Sequence, residues 1–267
     1  MSNQQWQLSG SMPERYEEFL VPVIFTPWAQ ELLSRAALSE GAELLDLACG
    51  TGIVARMAAT RGVRVCGADL NPGMLAQAET QSAGQNITYR QADAAGLPFD
   101  AGRFDAVICQ QGLQFFPDKP GAVAECFRVL RPGGKAVFCM ARGLEENPLM
   151  RAQVTAFAVH LDADEANAIR AVCGFADPEE TGALFTDAGF DPVSVQAVTL
   201  ELNARDAGAF VNGLMAATPA SERIAALSPE ARAALHSDIL AGFGSCHDGK
   251  ALRFPHVSNV VVAAKPA

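Results

Sequence analysis

Positive charge is scarce in this chain of 267 residues: 20 lysines and arginines stand against 30 acidic residues, a formal net charge of −10 with a pI near 4.9. No run of Lys or Arg concentrates what there is, so a long polyanion such as RNA or DNA is an unfavourable partner. No apolar stretch reaches the length of a membrane span, and the first residues, MSNQQWQLSGSMPERY, lack the apolar centre of a secretory signal. The expectation is a cytoplasmic protein without membrane insertion. The seven cysteines form no C-x-x-C pair, and Cys66, Cys109 and Cys139 fall in apolar segments, where reduced thiols pack as small core residues. No metal site is assigned, and there is no internal repeat. Hydrophobic residues, by contrast, make up 49% of the chain and charged residues only 19%, enough for a sizeable core. A small molecule is the expected partner; oligomeric state is left open.

The chemistry concentrates in Glu43 to Gly73, ELLDLACGTGIVARMAATRGVRVCGADLNPG. Leu44, Leu45 and Leu47 read as a buried strand, Gly50-Thr51-Gly52 as a turn, and Ile53 to Thr60 as a helix. Without Cβ atoms the two glycines let a ligand approach the backbone, and the first helical amides carry partial positive charge. A second strand, Val63 to Ala68, ends at Asp69, 19 residues after Gly50, where a dinucleotide fold places the acid that holds a ribose diol. Asp46 distinguishes this site from a pyrophosphate cradle. Its negative charge, four residues before Gly50, would repel phosphate and stabilise a cation, so LDLACGTG suggests a nucleoside with an amino-acid tail and a positive centre.

The motif LDLACGTG, followed by Asp69-Leu70-Asn71-Pro72-Gly73-Met74, Asp93-Ala94, Asp105 and Arg128-Val129-Leu130-Arg131-Pro132-Gly133-Gly134, resembles the class I S-adenosylmethionine-dependent methyltransferases, in particular the small-molecule group that includes the ubiquinone and menaquinone methyltransferases. The resemblance is strong over residues 40 to 142. It implies S-adenosylmethionine as cofactor, held by Asp46, Ala48, Gly50, Gly52, Asp69, Leu70 and Met74, with Asp93 and Ala94 at the adenine. It also implies that the N-terminal helices form a lid on which Tyr16 faces the methionine end. Gln110 and Gln111, at the carboxyl end of a fourth strand, belong to the region where open α/β sheets bind ligands. Phe115 and Phe116 either line an acceptor pocket or pack a loop onto the sheet. Cys49 is expected as a wall of the site, not a nucleophile.

Strands at Ile87 to Gln91, Phe104 to Gln110, Lys135 to Met140, Val193 to Leu202 and Leu252 to Ala264 alternate with helices. The predicted fold is α/β: a Rossmann-like doubly wound seven-stranded sheet, mostly parallel with an antiparallel last strand, plus a helical lid and insertion. Residues 1–40 are read as lid helices, 41–142 as the cofactor-binding core, 143–190 as an insertion over the acceptor, and 191–267 as completion of the sheet with two helices. Thr26-Pro27 and Asn71-Pro72 mark helix starts, and Asn147 to Val172 reads as one long helix in which Phe157, Val159 and Leu161 crowd the acceptor. The implied reaction moves a methyl group to an O, N or C nucleophile of a small, largely apolar molecule. His160 and His256 are the candidates for a catalytic base. An NAD(P)-dependent oxidoreductase would share the glycine turn and Asp69 but leaves Asp46 and Asp93-Ala94 unexplained; a non-catalytic S-adenosylmethionine-binding protein would not need the insertion.

Overall fold

The computed structural model describes residues 12–267; residues 1–11, the beginning of the expected lid, lie outside the described residues. The chain enters through α1 (Met12–Arg15) and a π-helix (Tyr16–Phe25) that runs without interruption into α2 (Thr26–Ala36). Pro22 lacks an N–H and its ring crowds the carbonyl four residues back, which favours the wider turn. At the junction the Thr26 N–H donates to the Val21 carbonyl, five residues earlier. Thr26 is therefore already helical, and α2 does not begin at a fresh cap as Thr26-Pro27 suggested.

The alternating part follows as β1 (Glu43–Leu47), α3 (Ile53–Ala59), β2 (Arg64–Asp69), α4 (Pro72–Gln81), β3 (Ile87–Gln91), β4 (Phe104–Gln110), α5 (Lys119–Val129) and β5 (Leu130–Ala141). Helices α6 (Pro148–His160), α7 (Ala163–Arg170) and α8 (Pro178–Asp187) precede β6 (Val193–Ala204); α9 (Ala207–Ala216), α10 (Ser221–Ala225) and α11 (Pro229–Gly242) precede β7 (Leu252–Ala264). The seven strands lie in the order β3-β2-β1-β4-β5-β7-β6. Only β7 runs against its neighbours, antiparallel to both β5 and β6, as the sequence predicted. Strand order reverses at β1, which pairs in parallel with β2 on one side and β4 on the other. A crevice opens at such a reversal beyond the carboxyl ends of the strands.

Strand alternation divides the core in two. Leu44, Ala106, Ile108, Val137 and Cys139 face a layer built on α2, α3, α6 and α9. Leu45, Leu47, Val107, Cys109 and Phe138 face the opposite layer, where Phe185 meets Phe138 edge-on at 5.1 Å and Phe190 at a tilt at 5.6 Å between centroids and so holds α8 to the sheet. The cysteines are free thiols, five of them buried.

The expected long insertion helix is broken at Leu161 (φ −118°, ψ −102°), because Asp162 turns its carboxylate onto the Asp164 and Glu165 amides and caps α7. Asn147 anchors the start of α6. Its Nδ2 donates to the carbonyls of Arg142, Gly143 and Val257, and its Oδ1 accepts from the Val257 N–H at 2.9 Å. One buried amide thus ties the insertion to β7.

Candidate functional site

The reversal point of the sheet carries a cavity of about 290 Å³. Its floor is the glycine turn. Ala48 (φ 53°) and Gly50 (φ 54°) both take the left-handed conformation there and both line the cavity. A Cβ on Gly50 would point toward the Met74 methyl and the Tyr16 hydroxyl, 3.8 and 4.0 Å away, so this glycine keeps cavity space open. Gly52 has a different reason to be glycine. A Cβ there would lie 2.4 Å from the Tyr89 hydroxyl, which packs behind the turn and pairs with Ser82 at 2.7 Å. Gly52 does not line the cavity.

Asp69 leaves β2 with both carboxylate oxygens on backbone amides: Oδ2 accepts from Gly50 and Oδ1 from Asn71, each at 2.8 Å. Burial raises its pKa, and these amides oppose the rise. Asn71 caps α4 through its side chain, as the Asn71-Pro72 pattern indicated, and Met74 follows on the cavity wall. Leu70, Asp93 and Ala94 line the same end; Asp93 Oδ1 closes a turn on the Ala95 amide. Gln110 donates its Nε2 to the Phe25 carbonyl, which joins the sheet to the π-helix. Gln111 (φ 54°) is a clamp: its Nε2 donates to Ser258 Oγ, and its Oε1 accepts from the Ala141 N–H. Tyr16 stacks on Phe25 at 4.7 Å and lines the cavity from the lid side, with its pKa pushed up chiefly by burial and next by Asp69.

Like Gly52, the expected wall residue Cys49 is absent from the lining, and two further expected residues, Asp46 and His160, also sit elsewhere. Asp46 shares the sheet face of Leu44, the face on which α3 begins, so its Oδ2 accepts the Ala55 N–H at 2.9 Å instead of lining the cavity. Burial pushes its pKa up to about 8, so the group is mostly uncharged at neutral pH and supplies no field for a cation. His160 is turned away from the cavity by the helix period of α6 and bonds Asp238 of α11 at 2.7 Å. Helix α6 faces the cavity through Leu149, Met150 and Gln153, about one to two turns before Phe157, while Val159 is 72% exposed.

His256 does line the cavity, but not as a base. The Trp28 indole, which can only donate, gives its Nε1–H to His256 Nδ1 at 3.0 Å. Burial pushes the His256 pKa down to about 4, so the ring is neutral and its single proton resides on Nε2. A nitrogen already protonated cannot take a proton from an acceptor. The residues that sequence reasoning passed over include Leu20, Ile24 and Phe25 of the π-helix and Gln114 in the turn after β4. Gln114 and Gln110 each keep a buried Oε1 without a partner among the described residues. Phe115 and Phe116, left open between pocket and loop packing, both line the cavity. Its ionisable carboxylates are Asp69 and Asp93, and no Lys or Arg among the described residues joins them.

Residues 45–138 match the family model described as "Methyltransferase domain". Demethylmenaquinone methyltransferase of Thermus thermophilus is 40% identical over 114 residues, 41% of this chain and 52% of its own length. The ubiquinone biosynthesis O-methyltransferase of Pseudomonas fluorescens is 35% identical over 114 residues, 42% of this chain and 47% of its own. The chain spans about half the length of the curated relatives it matches. Among solved structures, phosphoethanolamine N-methyltransferase 2 of Haemonchus contortus in complex with S-adenosyl-L-methionine superposes with a TM-score of 0.59 at 23% identity, over 90% of this chain and 53% of that one. The [4+2]-cyclase SpnF superposes at 0.58 with 20% identity, over 91% of this chain and 82% of that one. At these identities the likeness is one of fold, and a cyclase in the set means that the fold alone does not fix the reaction.

Proposed function

We propose that the protein, whose residues 45–138 match the methyltransferase-domain family model, binds S-adenosylmethionine and transfers its methyl group to a small, largely apolar molecule. The observation that carries this reading is the charge of the cavity: two carboxylates and no cation among the described residues line it. A pyrophosphate would meet two carboxylates and no balancing cation there, whereas a ligand with a positive centre is stabilised. Two features of the cavity fit the cofactor. The Cβ-free space over Gly50 lets a ligand reach the backbone, and Asp69, oriented by the Gly50 and Asn71 amides, presents its remaining lone pairs to a ribose diol. Met74 and Ala94 would flank the adenine, and Tyr16 would cover the opposite end.

When bound, S-adenosylmethionine supplies a methyl group on a sulfonium, which has a good neutral leaving group. What this chain contributes is position and dryness. Tyr16, Leu20, Ile24 and Phe25 from the lid and Leu149 and Met150 from the insertion wall off the reacting centre from water. With His256 protonated on the nitrogen left free and Asp69 engaged by two amides, the reading requires no base from either. Acceptors that are already nucleophilic, or that ionise readily, suit such a site best.

Calorimetry with S-adenosylmethionine, S-adenosylhomocysteine and NAD tests the proposal. Binding of the first two without NAD is expected; tight NAD binding with no response to S-adenosylhomocysteine would return the site to an oxidoreductase. Cofactor binding without methyl transfer across a broad acceptor screen, read by mass shift, would instead favour a non-catalytic binding protein.

A further inference from the structure

The bond between Trp28 and His256 joins residues 228 positions apart, on α2 and β7, and both side chains are almost wholly buried, at 0% and 2% exposure. Indole N–H is a donor and never an acceptor, so the contact decides the tautomer: Nδ1 accepts and Nε2 carries the hydrogen. The two rings meet edge-on at 5.6 Å, which holds the imidazole plane as well as its proton. Low basicity, caused by burial, keeps the ring from becoming a double donor near neutral pH. The Nε2–H has no protein partner among the described residues, and the ring lines the cavity. Nε2 is not among the polar atoms sealed off without a partner, so it opens onto the cavity, where a matching ligand would take the place of water as its acceptor.

The same cavity holds unmatched groups of the opposite kind. Gln110 and Gln114 spend their Nε2 donors on Phe25 O and Gln111 Oε1, at 2.8 and 3.3 Å, which leaves each Oε1 buried and unpartnered. Around these polar atoms the wall is apolar: Ile24, Leu149, Met150, Ile169 and Leu214.

We propose that His256, fixed by Trp28 as an Nε2–H donor, orients the methyl acceptor by hydrogen-bonding an uncharged oxygen on it, so that the substrate class is an apolar molecule bearing a hydroxyl or carbonyl group. The part concerning methyl transfer rests on the function proposed above; the donor and its ligand chemistry do not. An anionic acceptor is disfavoured by Asp69 and Asp93 and finds no cation among the lining residues. A hydroxyl satisfies both kinds of unmatched group, since its oxygen accepts from His256 and its hydrogen can reach a glutamine oxygen.

The test uses the full chain saturated with S-adenosylhomocysteine and an isosteric pair of probes, 2-naphthol and 2-methylnaphthalene. Nitrogen NMR of labelled protein should give a protonated-type shift at His256 Nε2 and an unprotonated-type shift at Nδ1, and 2-naphthol should move the Nε2 signal. The naphthol should bind about tenfold more tightly than the methyl compound, the range expected for one buried hydrogen bond. His256→Phe should reduce that preference to about twofold or less, and His256→Gln, which can still accept from Trp28 and donate to the cavity, should retain part of it. An unprotonated Nε2, an Nε2 signal indifferent to saturating 2-naphthol, or an equal preference in the wild type and in folded His256→Phe would each overturn the proposal. His256→Gln and the wild-type NMR keep the question decidable if His256→Phe does not fold. Calorimetry with S-adenosylhomocysteine on the same samples separates the two readings: loss of cofactor binding with an intact naphthol response would remove methyl transfer and leave the donor.

Discussion

Asp69 Oδ2 accepts the Gly50 N–H at 2.8 Å, so the acid at the end of β2 supports the glycine turn as well as facing the cavity. The double engagement sharpens what its removal should do. Hydrogen bonds to a charged group contribute roughly 1.5–3 kcal/mol, so Asp69→Ala should weaken S-adenosylhomocysteine binding by about ten- to a hundredfold. It also strands the Gly50 and Asn71 amides, and a stability loss of about 1–3 kcal/mol should accompany the binding loss. Calorimetry and urea unfolding separate the two effects; unchanged affinity in a folded variant would put the ribose elsewhere.

Asp46 makes stability depend on pH in an unusual direction for a carboxyl. Its pKa in the folded protein, about 8, lies above the ordinary 3.8, so the unfolded chain releases the proton first. The associated stability is complete below about pH 4 and is lost as pH rises through 8. The contribution over that window is on the order of a few kcal/mol. Asp46→Asn keeps an acceptor for the Ala55 amide without an ionisable group, so its unfolding free energy should vary less than that of wild type between pH 5 and 8. Parallel pH profiles from urea titrations would show that Asp46 is charged in the folded state.

Asn147 connects the insertion to the strand that carries His256, since it pairs with both the N–H and the carbonyl of Val257. Asn147→Ala leaves the buried Val257 N–H unmatched, at a cost of about 1–3 kcal/mol before any relaxation, and removes the bonds to the Arg142 and Gly143 carbonyls, whereas the Val257 carbonyl keeps the Arg142 N–H. The expected net loss is about 2–4 kcal/mol by chemical denaturation. A loss below about 0.5 kcal/mol would mean that water replaces the amide.

Such long-range contacts explain why the site was only partly legible in the sequence. The strands of the alternating core were readable because each is a short apolar run bounded by turn residues, and Asn71-Pro72 announced a cap that the structure contains. Periodicity says less about rotation within an all-apolar helix. Thus α6, with Leu149, Met150, Val154 and Phe157 all buried, gave no sign that His160 would turn to Asp238. Asp46 was readable as a strand residue but not as a cap, because its role depends on which sheet face α3 covers. The π-helix follows from how Pro22 is accommodated within an otherwise helical pattern. Trp28 and His256 meet only after α2 and β7 have packed, and no local rule pairs them.

The lid gives the last prediction. Tyr16–Phe25 is wound as a π-helix, whose geometry is uncommon and is found at functional sites. One ion pair fastens it to α3: Arg56 Nη2 meets Glu17 Oε1 at 2.6 Å, with the two side chains only 12% and 15% exposed, while Arg56 Nη1 bonds the Thr51 carbonyl in the glycine turn. Glu17 Oε2 is buried without a partner among the described residues, so opening the lid rehydrates an oxygen that closure leaves unmatched. The lid is thus held by one charged contact, by the Gln110 bond to the Phe25 carbonyl and by apolar contacts such as those of Leu20 and Ile24, and a ligand beneath it would add to the closed side of the balance. Hydrogen exchange of the full chain should show Met12 to Phe25 exchanging faster than β1 and β4 without ligand and slowing with S-adenosylhomocysteine. The segment Asp162 to Asp177 should slow as well, because Ile169 and Val172 line the same cavity. Arg56→Gln should speed ligand-free exchange of the first segment by roughly tenfold or more, the equivalent of one charge-assisted hydrogen bond. Equal exchange with and without ligand would make these helices fixed walls.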